Sequence, residues 1–144
     1  MNTDVHFSHK TDEWATPQSF FNSVASEFGP FDLDTCATSE NSKCENYYTE
    51  SNSGLDNDWA ARNWCNPPYS RIKDWVLKAR REQLRGNMTA MLIPARTDTA
   101  IFHDSIYNQK DVEIRFIRGR LKFGDSKNSA PFPSMLVIFR PFGT

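Results

Sequence analysis

The chain has 144 residues, a formal net charge of −1 and 13% aromatic side chains. That length allows one domain with one core and excludes a catalytic domain joined to a separate recognition domain. The charge excludes a histone-like polycation, so any nucleic-acid contact must come from local basic patches, and the aromatic load excludes a disordered chain.

Residues 1–13 are polar and read as a loose N-terminal segment, followed by a single compact domain over residues 14–144. They include no apolar stretch of the kind a secretory signal needs, and no run in the chain approaches the ~20 residues of a membrane span. Cys36, Cys44 and Cys65 occur without a CxxC pair. That pattern points away from a disulfide framework or a metal site and toward reduced thiols in a soluble cytoplasmic protein.

Thr16-Pro17 predicts a helix start, with Thr16 as the cap and Pro17 in the first turn. Phe20, Phe21, Val24 and Phe28 then recur at helical spacing until Gly29-Pro30. Phe31–Asp34 alternates and reads as a short strand. Residues 38–58 form a Ser-, Asn- and Glu-rich loop in which Tyr47–Thr49 is a further strand candidate. Arg62–Cys65 predicts a strand that runs into Asn66-Pro67-Pro68-Tyr69, where two prolines forbid a helix or a central ladder. Ile72, Trp75, Val76, Ala79 and Leu84 mark one face of the next helix, which Gly86-Asn87 ends. Thr89–Ala95 is a continuous apolar run, as expected of a buried parallel strand. A helix is predicted over residues 98–107, with Asp98 as a cap and Ile101, Phe102 and Ile106 inward. Strands follow at Val112–Arg118, with Leu121–Phe123 as an extension, and at Met135–Phe139. The segment 124–133 is a predicted loop. This alternation predicts an α/β fold with a mostly parallel sheet flanked by helices. Asp34 and Asn66 fall at two strand ends, where such sheets bind ligands.

The tetrapeptide Asn66-Pro67-Pro68-Tyr69 carries the chemistry. A plain turn is its bland reading, since Asn and Pro are common turn formers. The functional reading starts from an exocyclic nucleobase amine, whose lone pair is delocalised and weakly nucleophilic. Two acceptors that hold both amino hydrogens favour a pyramidal nitrogen. The Asn66 side-chain oxygen is one such acceptor and the Pro67 carbonyl the other. Proline rigidity at Pro67 and Pro68 fixes the carbonyl direction, and Tyr69 offers a face for a base to stack on.

Asn-Pro-Pro-Tyr at a strand end resembles the catalytic motif of amino-methyltransferases. From about Trp14 to Phe139 the chain resembles the phage-type (Dam-like) DNA N6-adenine methyltransferase family. The resemblance rests on Thr16–Gln18, Phe31–Ala37, Ser39–Asn41, Tyr47-Tyr48, Asp58-Trp59, Trp64–Tyr69, Pro94–Thr99, Arg118–Phe123 and Pro131–Ser134, in this order and spacing. It implies a Rossmann-like fold and methyl transfer from S-adenosylmethionine to N6 of a flipped-out adenine in double-stranded DNA. Extrusion is also a physical requirement, because N6 is paired inside the duplex.

On the cofactor side the resemblance points to Asp34, with Thr16, Pro17 and Cys36, while Asp58 reads equally as a cofactor contact or a turn cap. Glu40 and Glu45 are ribose candidates or solvated loop carboxylates. Phe20 and Phe21 are apolar cover or core. The glycine-rich cofactor turn common among methyltransferases is replaced by Thr35-Cys36-Ala37-Thr38. On the DNA side, Arg71, Lys73, Lys78, Arg80, Arg81 and Arg85 read mostly as a solvated helix face. Arg71 and Lys73, nearest Tyr69, are the predicted phosphate contacts. Arg96 stands at a strand end, and Arg118, Arg120, Lys122 and Lys127 make a second patch. His103 is assigned no chemistry. Alternatives are methylation of RNA or of a protein glutamine, or a DNA-binding relative without catalysis.

Overall fold

A computed structural model describes residues 15–123 and 130–143. The predicted loose segment 1–13, Trp14, Lys127 and most of the loop 124–133 lie outside the described residues. Among the described residues, three α-helices, α1 (Gln18–Phe28), α2 (Ile72–Leu84) and α3 (Ala100–Ser105), accompany five strands. The strands are β1 (Leu33–Asp34), β2 (Arg62–Cys65), β3 (Met88–Pro94), β4 (Val112–Phe116) and β5 (Ser134–Phe139), in the sheet order β1-β2-β3-β5-β4.

β1 pairs with β2, and β2 with β3, in parallel; β5 pairs antiparallel with both β3 and β4. Four strands therefore share one direction and β5 runs against them. The α/β class holds, but the expected mostly parallel sheet is mixed. A continuous apolar run records burial on both faces and carries no information about strand direction, so β5 read the same either way.

The sheet has a helix layer on each side, because successive strand residues point to opposite faces. On one face Phe21, Val24 and Phe28 of α1 pack with Trp64, Ala90, Leu92, Leu136 and Ile138. On the other, Trp75, Val76 and Ala79 of α2 and Phe102 of α3 pack with Met91, Ile93, Met135, Val137 and Phe139. Each such buried side chain contributes about 1.5–3 kcal/mol of transfer free energy.

Several expectations need correction. Pro17 itself occupies the N-cap of α1, no side chain caps it, and Thr16 is buried instead. Phe31 lies outside β1 and packs on Phe21 and Trp64. Tyr47 makes a single bridge to Asp34 rather than a strand. Thr99, not Asp98, caps α3, its hydroxyl accepting from the Phe102 N–H. Residues 117–123 are not part of a strand, and Phe116 at the sheet edge is 62% exposed.

Leu84 is also outside the core, at 74% exposure. Its place in the helix interior is taken by polar neighbours. Glu82 accepts from Lys78 Nζ (3.0 Å), Asn87 Nδ2 (2.8 Å) and the Trp59 N–H (3.3 Å). Gln83 donates to the carbonyls of Asp111 (3.1 Å) and Arg140 (2.7 Å). These satisfied buried groups fix α2 against the sheet. Gly86 follows with φ +88, a left-handed turn that suits glycine.

Candidate active site

β1 and β2 end side by side in the same direction. Asp34 closes β1, and Asn66 follows β2 directly. Thr35 joins the two ends, donating its N–H (2.9 Å) and its hydroxyl (3.1 Å) to the Trp64 carbonyl. Beyond them opens a cleft of about 920 Å³, and Thr16, Asp34, Cys36 and Asn66 all line it. The carboxyl ends of parallel strands are where open α/β sheets bind ligands.

Asp34 is 2% exposed. Its carboxylate accepts from the backbone N–H groups of Lys43 (2.9 Å) and Cys36 (3.3 Å), which ties the loop 35–43 around it. Burial pushes its pKa up to about 6, against the two N–H bonds and the nearby Lys43 charge. Lys43 in turn donates to Gln18 Oε1 (2.9 Å), linking that loop to α1. Lys43 lines the cleft and was not singled out in the sequence, where it lies inside a polar loop with no periodicity.

Ser53, Leu55 and Asp56 also line the cleft, and Gly54 lies buried behind them in the short turn Gly54–Asp56. A Cβ there would stand 2.3 Å from the Thr35 carbonyl and 3.1 Å from the Trp75 ring, so only glycine permits this approach. Trp59 Nε1 donates to the Gly54 carbonyl (2.8 Å) and holds the turn down. The Ser53-Gly54 dipeptide was the available signal for this turn. Among the described residues, two that line the cleft carry a buried polar atom with no hydrogen-bond partner: Thr16 Oγ1 and Trp75 Nε1. Orphaned buried donors and acceptors in a cleft are sites a ligand can satisfy.

The Asn66–Tyr69 segment leaves the sheet as predicted. Pro68 caps the 3₁₀ turn Tyr69–Arg71, which the Arg71 N–H closes on the Pro68 carbonyl (3.0 Å). The Tyr69 hydroxyl donates to Asn66 Oδ1 at 3.4 Å, a long bond that orients the amide. Tyr69 is 7% exposed, edge-on to Phe132 (5.4 Å) and Phe123 (6.4 Å). Burial pushes its phenol well above the usual range. Its ring does not border the large cleft. It lines a smaller cavity of about 160 Å³ with Lys73, Arg96, Thr99 and Phe102, and Ser70 borders both spaces.

The remaining predicted residues divide. Arg71 lines the cleft and pairs with Asp74 (3.1 Å). Arg118, Arg120 and Lys122 are exposed on the segment after β4. Pro17 does not line the cleft. Asp58 does not line the cleft and pairs with Arg85 (2.7 Å) at the surface. The basic run on α2 is not one solvated face: Lys78 is buried against Glu82, and Arg80 binds Gln83.

A cleft at adjacent strand ends, lined by a buried carboxylate and an amide-bearing loop, is the arrangement expected of an amino-methyltransferase. The sequence pattern of the DNA N-6-adenine-methyltransferase (Dam) family matches residues 4–144, and the chain belongs to that family. It is similar to a DNA N-6-adenine-methyltransferase of Haemophilus phage HP1 (strain HP1c1), at 35% identity over 138 residues, 90% of this chain and 79% of the relative. It is also similar to a DNA N-6-adenine-methyltransferase of Escherichia phage T1, at 34% identity over 103 residues, 70% of this chain and 43% of that relative. The enzyme class that follows from the family is an adenine-specific DNA methyltransferase.

Proposed function

We propose that the protein transfers a methyl group from S-adenosylmethionine to N6 of an adenine extruded from double-stranded DNA, on a Rossmann-like single domain in the cytoplasm. The observation that carries this reading is the position of Asp34 and Asn66 on one cleft, joined through Thr35 and Trp64.

The cleft's donor set suits the cofactor. It offers a buried carboxylate for an ammonium, Lys43 for a carboxylate, and the orphaned Thr16 hydroxyl for either. Cys36 and Ala37 leave room for close backbone approach where the glycine-rich turn is missing. When bound, S-adenosylmethionine supplies an electrophilic methyl group.

The chain's own residues prepare the amine. Asn66 Oδ1, oriented by the Tyr69 hydroxyl, accepts one amino hydrogen of the adenine, and the Pro67 carbonyl accepts the other. Pro68 keeps this carbonyl rigid. As the amine took the methyl and the carbon–sulfur bond broke to release S-adenosylhomocysteine, nitrogen would gain positive charge, which these two acceptors would stabilise. Asn66 is neutral, so the amine needs no prior deprotonation, and the surplus proton leaves during or after attack.

The extruded base enters where Ser70 joins the cleft to the cavity beside Tyr69. The cavity beside Tyr69 measures about 160 Å³. Lys73 and Arg96 at that cavity neutralise the flanking phosphates, and Arg118, Arg120 and Lys122 give a second backbone contact.

The decisive experiment is tritiated methyl transfer to unmethylated double-stranded DNA, followed by nucleoside analysis. N6-methyladenine is the expected product. Label in RNA or in a protein glutamine, with none in DNA, overturns the substrate assignment.

A further inference from the structure

We propose that the indole N–H of Trp75 is a hydrogen-bond donor to the adenosyl half of the bound cofactor, which rests on the reading that the cleft holds S-adenosylmethionine. Helical spacing alone assigns Trp75 to the core, and its ring is indeed 4% exposed. It stacks on Trp59, with centroids 6.2 Å apart and planes at 26°, and its outer edge faces Gly54. Packing explains a large aromatic side chain at this position. It does not explain an indole, because Nε1 is buried without a partner among the described residues. Buried indole N–H groups ordinarily find acceptors, and an orphan costs folding free energy.

Trp75 borders the cleft and its Nε1 is closed to solvent in the free protein, so a ligand that seats against the ring and shifts it can supply the missing acceptor. Indole nitrogen donates only. The cofactor's ammonium and adenine amino groups are donors themselves and cannot serve. A carboxylate acceptor belongs with the Lys43 cation. Leu55 and the Trp75 ring give this part of the cleft apolar walls, which suit a purine better than a charged amino-acid end. A ribose oxygen or a purine ring nitrogen remains. The free protein thus carries an unsatisfied donor that is relieved on binding, so the same atom opposes stability alone and favours the complex.

The test uses the full chain with S-adenosylhomocysteine and methylthioadenosine, which share the adenosyl half. Titration is followed by calorimetry and by the indole resonances in nitrogen-15 spectra. Trp75→Phe removes the donor and keeps a ring. The expected result is about tenfold weaker binding of both ligands, a ligand-free melting temperature unchanged or raised, and a downfield move of the Trp75 indole proton in the unaltered protein. That resonance readout stands even if the variant fails to fold. A stationary resonance with equal affinities overturns the proposal while leaving the cofactor reading intact. A loss confined to S-adenosylhomocysteine overturns the adenosyl assignment and moves the donor to the amino-acid half. Failure of the unaltered protein to bind either ligand overturns the cofactor reading and this proposal with it.

Discussion

Thr35 gives both its donors, backbone and hydroxyl, to the carbonyl of Trp64, at 2.9 and 3.1 Å. This one residue fixes the distance between the carboxylate that ends β1 and the amide that follows β2. Thr35→Val keeps the shape and the backbone bond but loses the hydroxyl bond. Urea unfolding is expected to show a loss of about 1 kcal/mol. Single-turnover methyl transfer should fall further than this stability change implies, since the two halves of the site lose their register. Wild-type turnover in the variant would show that the junction is structural only.

Asn66→Ala is expected to abolish transfer while calorimetry still detects cofactor binding, because in the proposed mechanism its side chain holds the amine. Tyr69→Phe tests the neighbouring hydroxyl. At 3.4 Å its bond to Asn66 is weak, so a several-fold drop in kcat with little change in KM is expected. Tyr69→Ala is less informative, because the ring is buried against Phe132 and its removal also opens a cavity.

On the proposed reading, in which Asp34 pairs with the cofactor's ammonium, its raised pKa gives cofactor binding a pH dependence. Burial holds its pKa near about 6 in the free protein, above the ordinary 3.8. A raised carboxyl pKa favours the free fold at low pH, and this contribution is lost as pH rises through about 6. Pairing with an ammonium needs the ionised form. Affinity should therefore climb from pH 5 toward pH 7, by up to about tenfold per pH unit below 6, and then level. Asp34→Asn should bind weakly and with a flat profile over this range. An unchanged slope in that variant would assign the titration to another group.

How the basic residues divide is open to a salt titration of DNA binding. Lys78 is committed to Glu82 at 3.0 Å inside the protein, so Lys78→Met should leave the salt slope unchanged. Lys73→Ala and Arg96→Ala should each lower it by about 0.9 if each neutralises one phosphate. Equal slopes for all three variants would remove Lys73 and Arg96 from the interface. Stability should respond in the opposite order. Glu82→Ala strands a buried ammonium and costs about 3–5 kcal/mol, well beyond either surface change.

The Asn66–Tyr69 loop was legible because proline limits the backbone so strongly. Pro67 and Pro68 force a stop after Arg62–Cys65, and β2 has the predicted bounds. Asp34 was legible as a polar residue ending a short apolar stretch. The Asp58–Arg85 pair gave no sequence signal, because Arg85 lies 27 positions away, across a helix that sequence reading places only roughly. Lys43 gave no signal, since its importance lies in a backbone N–H that any residue has. Trp75 was legible as core and silent as a donor, because periodicity reports which way a side chain points and not whether its nitrogen is satisfied. The mixed sheet was hidden by the uniform burial of β3 and β5.

The placement of β5 also governs how the protein can be made. Its residues 134–139 hydrogen-bond to β3 on one side and β4 on the other, so a strand translated after both partners lies between them. Until the ribosome has delivered it, β3 and β4 have no common neighbour and two apolar ladders stand open. The sheet therefore completes after this segment is made, and a chain cut before Ser134 leaves β4 with no strand to join. Chaperone capture should be strongest for nascent chains stalled between β4 and β5.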